Sequence, residues 1–252
     1  MANKINVKVL RQPDPHSGSH WETFGVPYED GMNVTTILQR IAANPVTADH
    51  QPTTPVAYDA SCLEEVCGAC TMVINGTVRQ ACSALVDQLM EDSPNVIEVR
   101  PMTKFAVVRD LVVDRRPMFE ALKRVKAWVR VDGYHDLGPG RRVLASEQEA
   151  AYPLSRCMTC GCCVEACPQF HDKSPFIGPA AISQAMFFNA HPTGRVDESD
   201  RLEVLSGFGG IADCGNSQNC VKVCPKDIPL TDSIAQAGRD TTIHKIKQWF
   251  GR

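Results

Sequence analysis

The 12 cysteines of this chain fall into three groups, and a backbone that must wrap each group around a common point has few folds open to it. The first group is Cys62, Cys67, Cys70 and Cys82, spaced C-x4-C-x2-C-x11-C. The second is Cys157, Cys160, Cys162, Cys163 and Cys167 in the stretch CMTCGCCVEACP, and the third is Cys214, Cys220 and Cys224 in CGNSQNCVKVCP. Cysteines at such short intervals serve disulfides, structural zinc or iron-sulfur clusters. A disulfide framework belongs to short secreted chains, whereas this chain has 252 residues and its start, MANKINVKVLRQ, lacks the apolar stretch of a signal peptide. Zinc knuckles also use Cys-x-x-Cys pairs. Four cysteines between residues 157 and 163, a proline after both Cys167 and Cys224, and the x4 spacing of the first group suit clusters better than tetrahedral zinc.

The spacing C-x4-C-x2-C with a distant fourth cysteine is the plant-type ferredoxin pattern for a 2Fe-2S cluster. C-x2-C-x2-C-x3-C-P is the bacterial type, whose fourth cysteine serves the neighbouring cluster. These rules assign Cys62, Cys67, Cys70 and Cys82 to a 2Fe-2S cluster. They assign Cys157, Cys160 and Cys163, completed by Cys224 before Pro225, to a 4Fe-4S cluster. Cys167 crosses over to join Cys214 and Cys220. A full motif needs a cysteine three residues after Cys214, and Ser217 stands there, so the third site is expected to hold a 3Fe-4S cluster on three thiolates. Cys162 is left over and reads as a small buried residue; it is also able to replace Cys163 as third ligand, although the regular spacing favours Cys163.

The net charge of -3 offers no basic field, so no nucleic-acid partner is expected. No segment is long enough to span a membrane: the best apolar stretch, Phe176 to Phe188, contains Ser183 and Gln184. Free thiolates and clusters point to a reducing compartment.

The pattern predicts an α+β protein with two domains, residues 1–105 and 106–252. In the first, Ile5, Val7 and Val9 alternate as a half-buried strand, and Val34, Ile37, Leu38 and Ile41 follow helical spacing up to Asn44-Pro45. Thr71 to Ile74 and Thr77 to Ala81 flank Asn75-Gly76, a hairpin signal. Val96 to Val99 is the last strand. This order matches a β-grasp ferredoxin domain. In the second, Phe119, Leu122, Val125 and Val129 predict a helix ending before Asp132-Gly133, followed by a loop at Leu137 to Arg142. Ala180 to Asn189 and Ser233 to Phe250 predict further helices, giving a mostly helical bacterial-type ferredoxin domain.

The plant-type group, the CxxCxCCxxxC-P run, the phrase Phe176-Ile177-Gly178-Pro179-Ala180 and the closing C-x5-C-x3-C-P-K resemble the iron-sulfur subunit of succinate dehydrogenase and fumarate reductase, over essentially the whole chain. The resemblance implies an oxidoreductase complex of the tricarboxylic acid cycle and respiratory chain, with no substrate-bond chemistry on this chain. In it a FAD-bearing flavoprotein subunit interconverts succinate and fumarate, and electrons run through the 2Fe-2S, 4Fe-4S and 3Fe-4S clusters to quinone or haem b in a membrane anchor. It also implies a peripheral position on the cytoplasmic face of the cytoplasmic membrane. Ubiquinone-using relatives typically carry a tryptophan five residues after the cysteine matching Cys167, and here Asp172 stands there. The chain therefore looks closer to menaquinone-linked members, whose anchor is often a cytochrome b subunit with two haems. The rivals are a freestanding ferredoxin-like carrier, an iron-sulfur regulator, and the iron-sulfur subunit of another quinone-linked dehydrogenase.

Other motifs have plainer readings. Gly207-x-Gly209-x-x-Ala212 imitates a dinucleotide fingerprint, but no helix is expected after it, so a loop is the better reading. His171 and His191 read as surface or core residues. Phe170, Phe176, Phe187 and Phe188 fit an interface or core packing equally.

Overall fold

A computed structural model describes residues 4–94, 96–130 and 142–251, and it divides into two compact units. The first comprises residues 1–115 together with 158–165; the second comprises residues 116–157 and 166–252.

The first unit is built on a five-stranded sheet in the order β2-β1-β5-β3-β4. Strand β1, Lys4–Arg11, buries Ile5, Val7 and Val9 on one side, as its alternation requires. It pairs antiparallel with β2, His20–Pro27, a strand whose only inward apolar residues are Phe24 and Val26. Helix α1, Val34–Ala43, sets Val34, Ile37, Leu38 and Ile41 against the sheet core. Its cap Asn33 accepts from Thr36 N at 2.9 Å through Oδ1 and donates through Nδ2 to the Cys82 carbonyl at 2.9 Å, so one side chain starts the helix and holds a cysteine backbone.

The hairpin β3, Thr71–Ile74, and β4, Thr77–Gln80, turns at Asn75 and Gly76, with φ of 47° and 78°. Both lie in the left-handed region that a two-residue hairpin of this twist demands, which is why Asn-Gly is there. Helix α2, Val86–Asp92, leads into β5, Ile97–Arg100, which lies between β1, to which it is parallel, and β3, to which it is antiparallel. The small ribbon β6, Val107–Arg109, and β7, Val112–Val113, completes the unit. The separate segment 158–165 is fastened to it by Glu165, whose carboxylate accepts from Thr103 N at 2.8 Å and Lys104 N at 3.0 Å.

A buried ion pair ties this unit together. Arg11 and Asp110 are 4% and 1% exposed, and the guanidinium meets the carboxylate through Nε at 3.0 Å and Nη2 at 3.2 Å. Asp110 also accepts from Gln12 N and Ala57 N, and Arg11 donates to Thr54 Oγ1 at 3.0 Å and to the Thr54 and Pro55 carbonyls. The loop leading to Cys62 is thereby pinned to the end of β1.

The second unit is helical: α3, Arg116–Arg124; α4, Ala145–Ser155; α5, Pro179–Ala190; α6, Glu198–Ser206; and α7, Leu230–Trp249. Helix α5 starts with Pro179 after Gly178 and is buried on nearly every side, the mark of a core helix rather than a membrane span. Among the described residues no helix is long and apolar enough to cross a membrane. Helix α3 corrects the expected face: Met118 and Ala121 are its buried residues, and Phe119 is 49% exposed. The helix ends at Arg124 and Lys126 takes φ 48°, so Val129 lies past its end. The predicted helix end before Asp132 and most of the loop from Leu137 lie outside the described residues.

Arg201, fully buried on α6, gathers this unit. It donates to the carbonyls of Lys126 at 2.9 Å, Trp128 at 2.9 Å and Gly194 at 2.6 Å, and to Asn189 Oδ1 at 3.1 Å. Charge-assisted bonds of this kind offset the desolvation of the guanidinium.

Removing Asp110 takes two hydrogen bonds from the buried Arg11 and leaves Glu22 as its remaining carboxylate partner. Asp110→Ala is expected to lower unfolding stability by about 1–3 kcal/mol, read from denaturant unfolding followed through loss of cluster colour. A change below about 1 kcal/mol, the range of exposed pairs, would show the pair to be dispensable.

Candidate iron-sulfur sites

The loop from Cys62 to Cys70 owes its shape to three left-handed residues, Leu63 at φ 63°, Glu65 at 54° and Gly68 at 71°. Such turns aim successive amides inward as an anion-binding concavity. Here the amides converge on sulfur. Cys62 Sγ accepts from Glu64 N at 3.4 Å, Val66 N at 3.3 Å and Cys67 N at 3.3 Å. Cys67 Sγ accepts from Ala69 N at 3.4 Å, and Cys82 Sγ from Glu65 N at 3.3 Å. These amides hold the Cys62 thiol down at about 6, well inside the thiolate range at neutral pH. Burial pushes Cys82 up to about 11. Cys70 and Cys82 are buried and Cys67 is exposed, so the group runs from the sheet to the surface.

Amide bonds to three of the four sulfurs fit thiolates that carry iron, because hydrogen bonds to cluster sulfur are a means by which proteins set its potential. The cysteines are all free rather than disulfide-bonded. Among the described residues no group of three or more His, Cys, Asp or Glu closes around a single metal ion.

The second cysteine run is divided: Cys160, Cys162 and Cys163 belong to the first unit, Cys157 and Cys167 to the second. Thr159 and Gly161, at φ 54° and 92°, lead into a single helical turn, Cys162–Glu165. Cys162 is fully buried and its sulfur accepts from Gln80 Nε2 at 3.2 Å; the same nitrogen donates to Thr71 Oγ1 at 3.0 Å. A side-chain hydrogen bond with Cys162 holds the Cys160 thiol down at about 7, while that contact and burial push Cys162 far up, favouring its neutral thiol.

In the second unit Cys167, Cys214 and Cys220 line one recess, and Ser217 stands on the same wall. Phe176, Pro179 and Ile234 supply apolar lining. Asn216 and Gln218, at φ 49° and 59°, curl the backbone around Ser217, and Cys220 begins in the short turn Asn219–Lys222. Burial raises the Cys220 thiol. Asn219 Nδ2 donates to the Ala166 carbonyl at 3.3 Å, fastening this loop beside Cys167.

Asp172 lies on the surface, between exposed His171 and Lys173. His171 Nδ1 accepts from Lys173 N, and His191 Nδ1 accepts from Thr193 N and Gly194 N, each at 3.2 Å, so both histidines serve local turns. The glycines at 207, 209 and 210 lie in the turn that ends α6, with Gly209 N donating to Asp213 Oδ2 at 3.0 Å. Sequence reasoning missed Thr71, Gln80 and Arg115, which surround the cysteines without any spacing that marks them.

A β-grasp unit with amides turned onto cysteine sulfur, a helical unit, and two further cysteine runs of which the first is divided between them define an electron-transferring iron-sulfur protein of ferredoxin type. Residues 5–120 match the 2Fe-2S iron-sulfur cluster binding domain, and residues 153–228 match the 4Fe-4S dicluster domain. The chain is 54% identical over 247 residues to the succinate dehydrogenase iron-sulfur subunit of Bacillus subtilis (strain 168), covering 98% of this chain and 96% of that one. It is 28% identical over 244 residues to the fumarate reductase iron-sulfur subunit of Wolinella succinogenes, covering 95% and 98%. It also resembles a chain of the Mycobacterium smegmatis Sdh1 complex in the apo form, with TM-score 0.80, 26% identity and 98% of each chain covered. The chain belongs to the family of succinate dehydrogenase and fumarate reductase iron-sulfur subunits. Its part in that oxidoreductase is electron transfer.

The two adjacent cysteines separate cleanly in one experiment. Cys163→Ala is expected to lose the 4Fe-4S paramagnetic signal, and Cys162→Ala to retain all cluster signals and full iron content. The reverse result would make Cys162 the ligand.

Proposed function

We propose that this subunit carries electrons between a FAD-bearing flavoprotein that interconverts succinate and fumarate and quinone or haem b in a membrane anchor, on the cytoplasmic face of the cytoplasmic membrane. The ligand sets are Cys62, Cys67, Cys70 and Cys82 for 2Fe-2S; Cys157, Cys160, Cys163 and Cys224 for 4Fe-4S; and Cys167, Cys214 and Cys220 for 3Fe-4S. When bound, these clusters supply one-electron redox centres, and the protein tunes them by ligation, hydrogen bonding and burial. The observation that carries the reading is the recess shared by Cys167, Cys214, Cys220 and Ser217, three thiols and a hydroxyl where a complete motif has four thiols.

The chain's own residues do defined work in this reading. The amides of Glu64, Val66 and Cys67 favour the anionic form of Cys62. Ser217 provides a poor ligand beside thiolates, which keeps the third site short of one iron. Asp172 supplies an exposed carboxylate that only accepts hydrogen bonds when ionised, where an indole would donate one. A ubiquinone carbonyl, itself an acceptor, gains nothing from that carboxylate at the position where ubiquinone-using relatives carry tryptophan. This supports menaquinone as the acceptor, through a dihaem cytochrome b anchor.

A redox titration of the intact complex followed by low-temperature paramagnetic resonance tests the cluster set. Ser217→Cys is expected to permit conversion of the 3Fe-4S site to 4Fe-4S, with a fall in its potential and weaker electron delivery to quinone. A 4Fe-4S signal at that site in the unaltered protein would refute the assignment.

The quinone is tested with the purified complex. A menaquinone analogue should be reduced efficiently, and Asp172→Trp should not by itself create rapid ubiquinone reduction. Rapid turnover with a ubiquinone analogue while the menaquinone analogue stays inert would overturn this part of the proposal.

A further inference from the structure

Within the first unit, the loop between Cys67 and Cys70 is pressed onto Cys160. Gly68 is buried at φ 71°, and a Cβ built on it would sit 2.6 Å from Cys160 Cβ and 2.7 Å from Cys160 Cα. No side chain fits that gap, so the two backbones meet directly. Both conditions, left-handed φ and zero clearance, demand glycine.

The contact is stapled from two directions. Arg115 Nη1 donates to the Gly68 carbonyl at 2.8 Å and to the Cys160 carbonyl at 3.4 Å, while its Nη2 donates to the Ala69 carbonyl at 2.8 Å. One planar cation thus grips both cysteine segments, using the fork of donors that lysine lacks. On the buried side, Thr71 Oγ1 donates to the Gly68 carbonyl at 2.8 Å, and Gln80 Nε2 bridges Thr71 Oγ1 and Cys162 Sγ.

We infer that this junction is the crossing point for electrons between the first and second clusters, with Gly68 and Arg115 as its positioning residues. The inference rests on the ligand sets proposed above. One electron leaves the reduced first centre and reduces the second; no bond forms or breaks and no proton moves. Tunnelling through packed atoms weakens less with distance than tunnelling across a gap, so widening this contact slows the crossing without removing either centre.

The test uses the assembled complex with Gly68→Ala, Arg115→Met and Arg115→Lys. Each variant is read for the amplitude of both cluster signals, for the enhancement of spin relaxation of the reduced first cluster by the reduced second, and for electron transfer from succinate to quinone. Gly68→Ala and Arg115→Met should keep both signals, lose relaxation enhancement and slow transfer on the order of tenfold, as small misplacements of reacting partners do. Arg115→Lys, able to reach fewer carbonyls, should fall between. Relaxation and rate unchanged in Arg115→Met with both signals intact would overturn the inference. So would loss of a cluster from both Arg115 variants, which would make the arginine an assembly residue. Failure of the ligand reading shows separately, as a 4Fe-4S signal that survives Cys160→Ala.

Discussion

The direction of backbone N–H groups is the constraint on which the cysteine sites depend. A thiolate is a buried or half-buried anion, and such a group is costly unless donors face it. In the loop from Cys62 to Cys70 those donors come from the main chain. The main chain turns its amides inward only by visiting the left-handed region, which explains Leu63, Glu65 and Gly68 within one short loop. The sheet beneath has to keep that loop in place. Asn33, capping α1 while holding the Cys82 carbonyl, and Arg11, pinning the segment from Thr54 to Ala57 through Asp110, are the means.

How much of this was legible follows from how local each signal is. The strand at Ile5, the helix at Val34, the hairpin at Asn75-Gly76 and the core helix after Pro179 were readable because each is specified by its own few residues. Strand β2 was not, since Phe24 and Val26 make too short an alternation and the strand exists because β1 pairs with it along its whole length. The face of α3 was misread because Phe119 is the more hydrophobic choice, yet Met118 and Ala121 fit the core. Among site residues, cysteine spacing marked the sulfurs, but Gln80 and Arg115 act across tens of residues and Thr71 sits in an ordinary strand, so none of the three carries a periodic trace. Cys162 lay between: its neighbours in sequence made it a candidate ligand, and only its partner Gln80 shows what its sulfur touches.

Each unit also contains one buried arginine used as a fixed hub. Arg11 serves a carboxylate and loop carbonyls; Arg201 serves three carbonyls and an amide oxygen, with the Phe188 ring 5.8 Å away. The chemistry suits irregular protein, where carbonyls at loop ends lack helical or sheet partners and a guanidinium can satisfy several at once. Cysteine-bearing loops create many such orphans.

The first unit is not continuous in sequence, because residues 158–165 complete it after residues 116–157 have gone elsewhere. During synthesis at roughly 5–20 residues per second, the β-grasp sheet therefore emerges some seconds before the segment that covers Gly68. For that interval the backbone of the first cysteine loop is open to water and to whatever delivers iron and sulfide. Arrival of Cys160 then closes that face over Gly68.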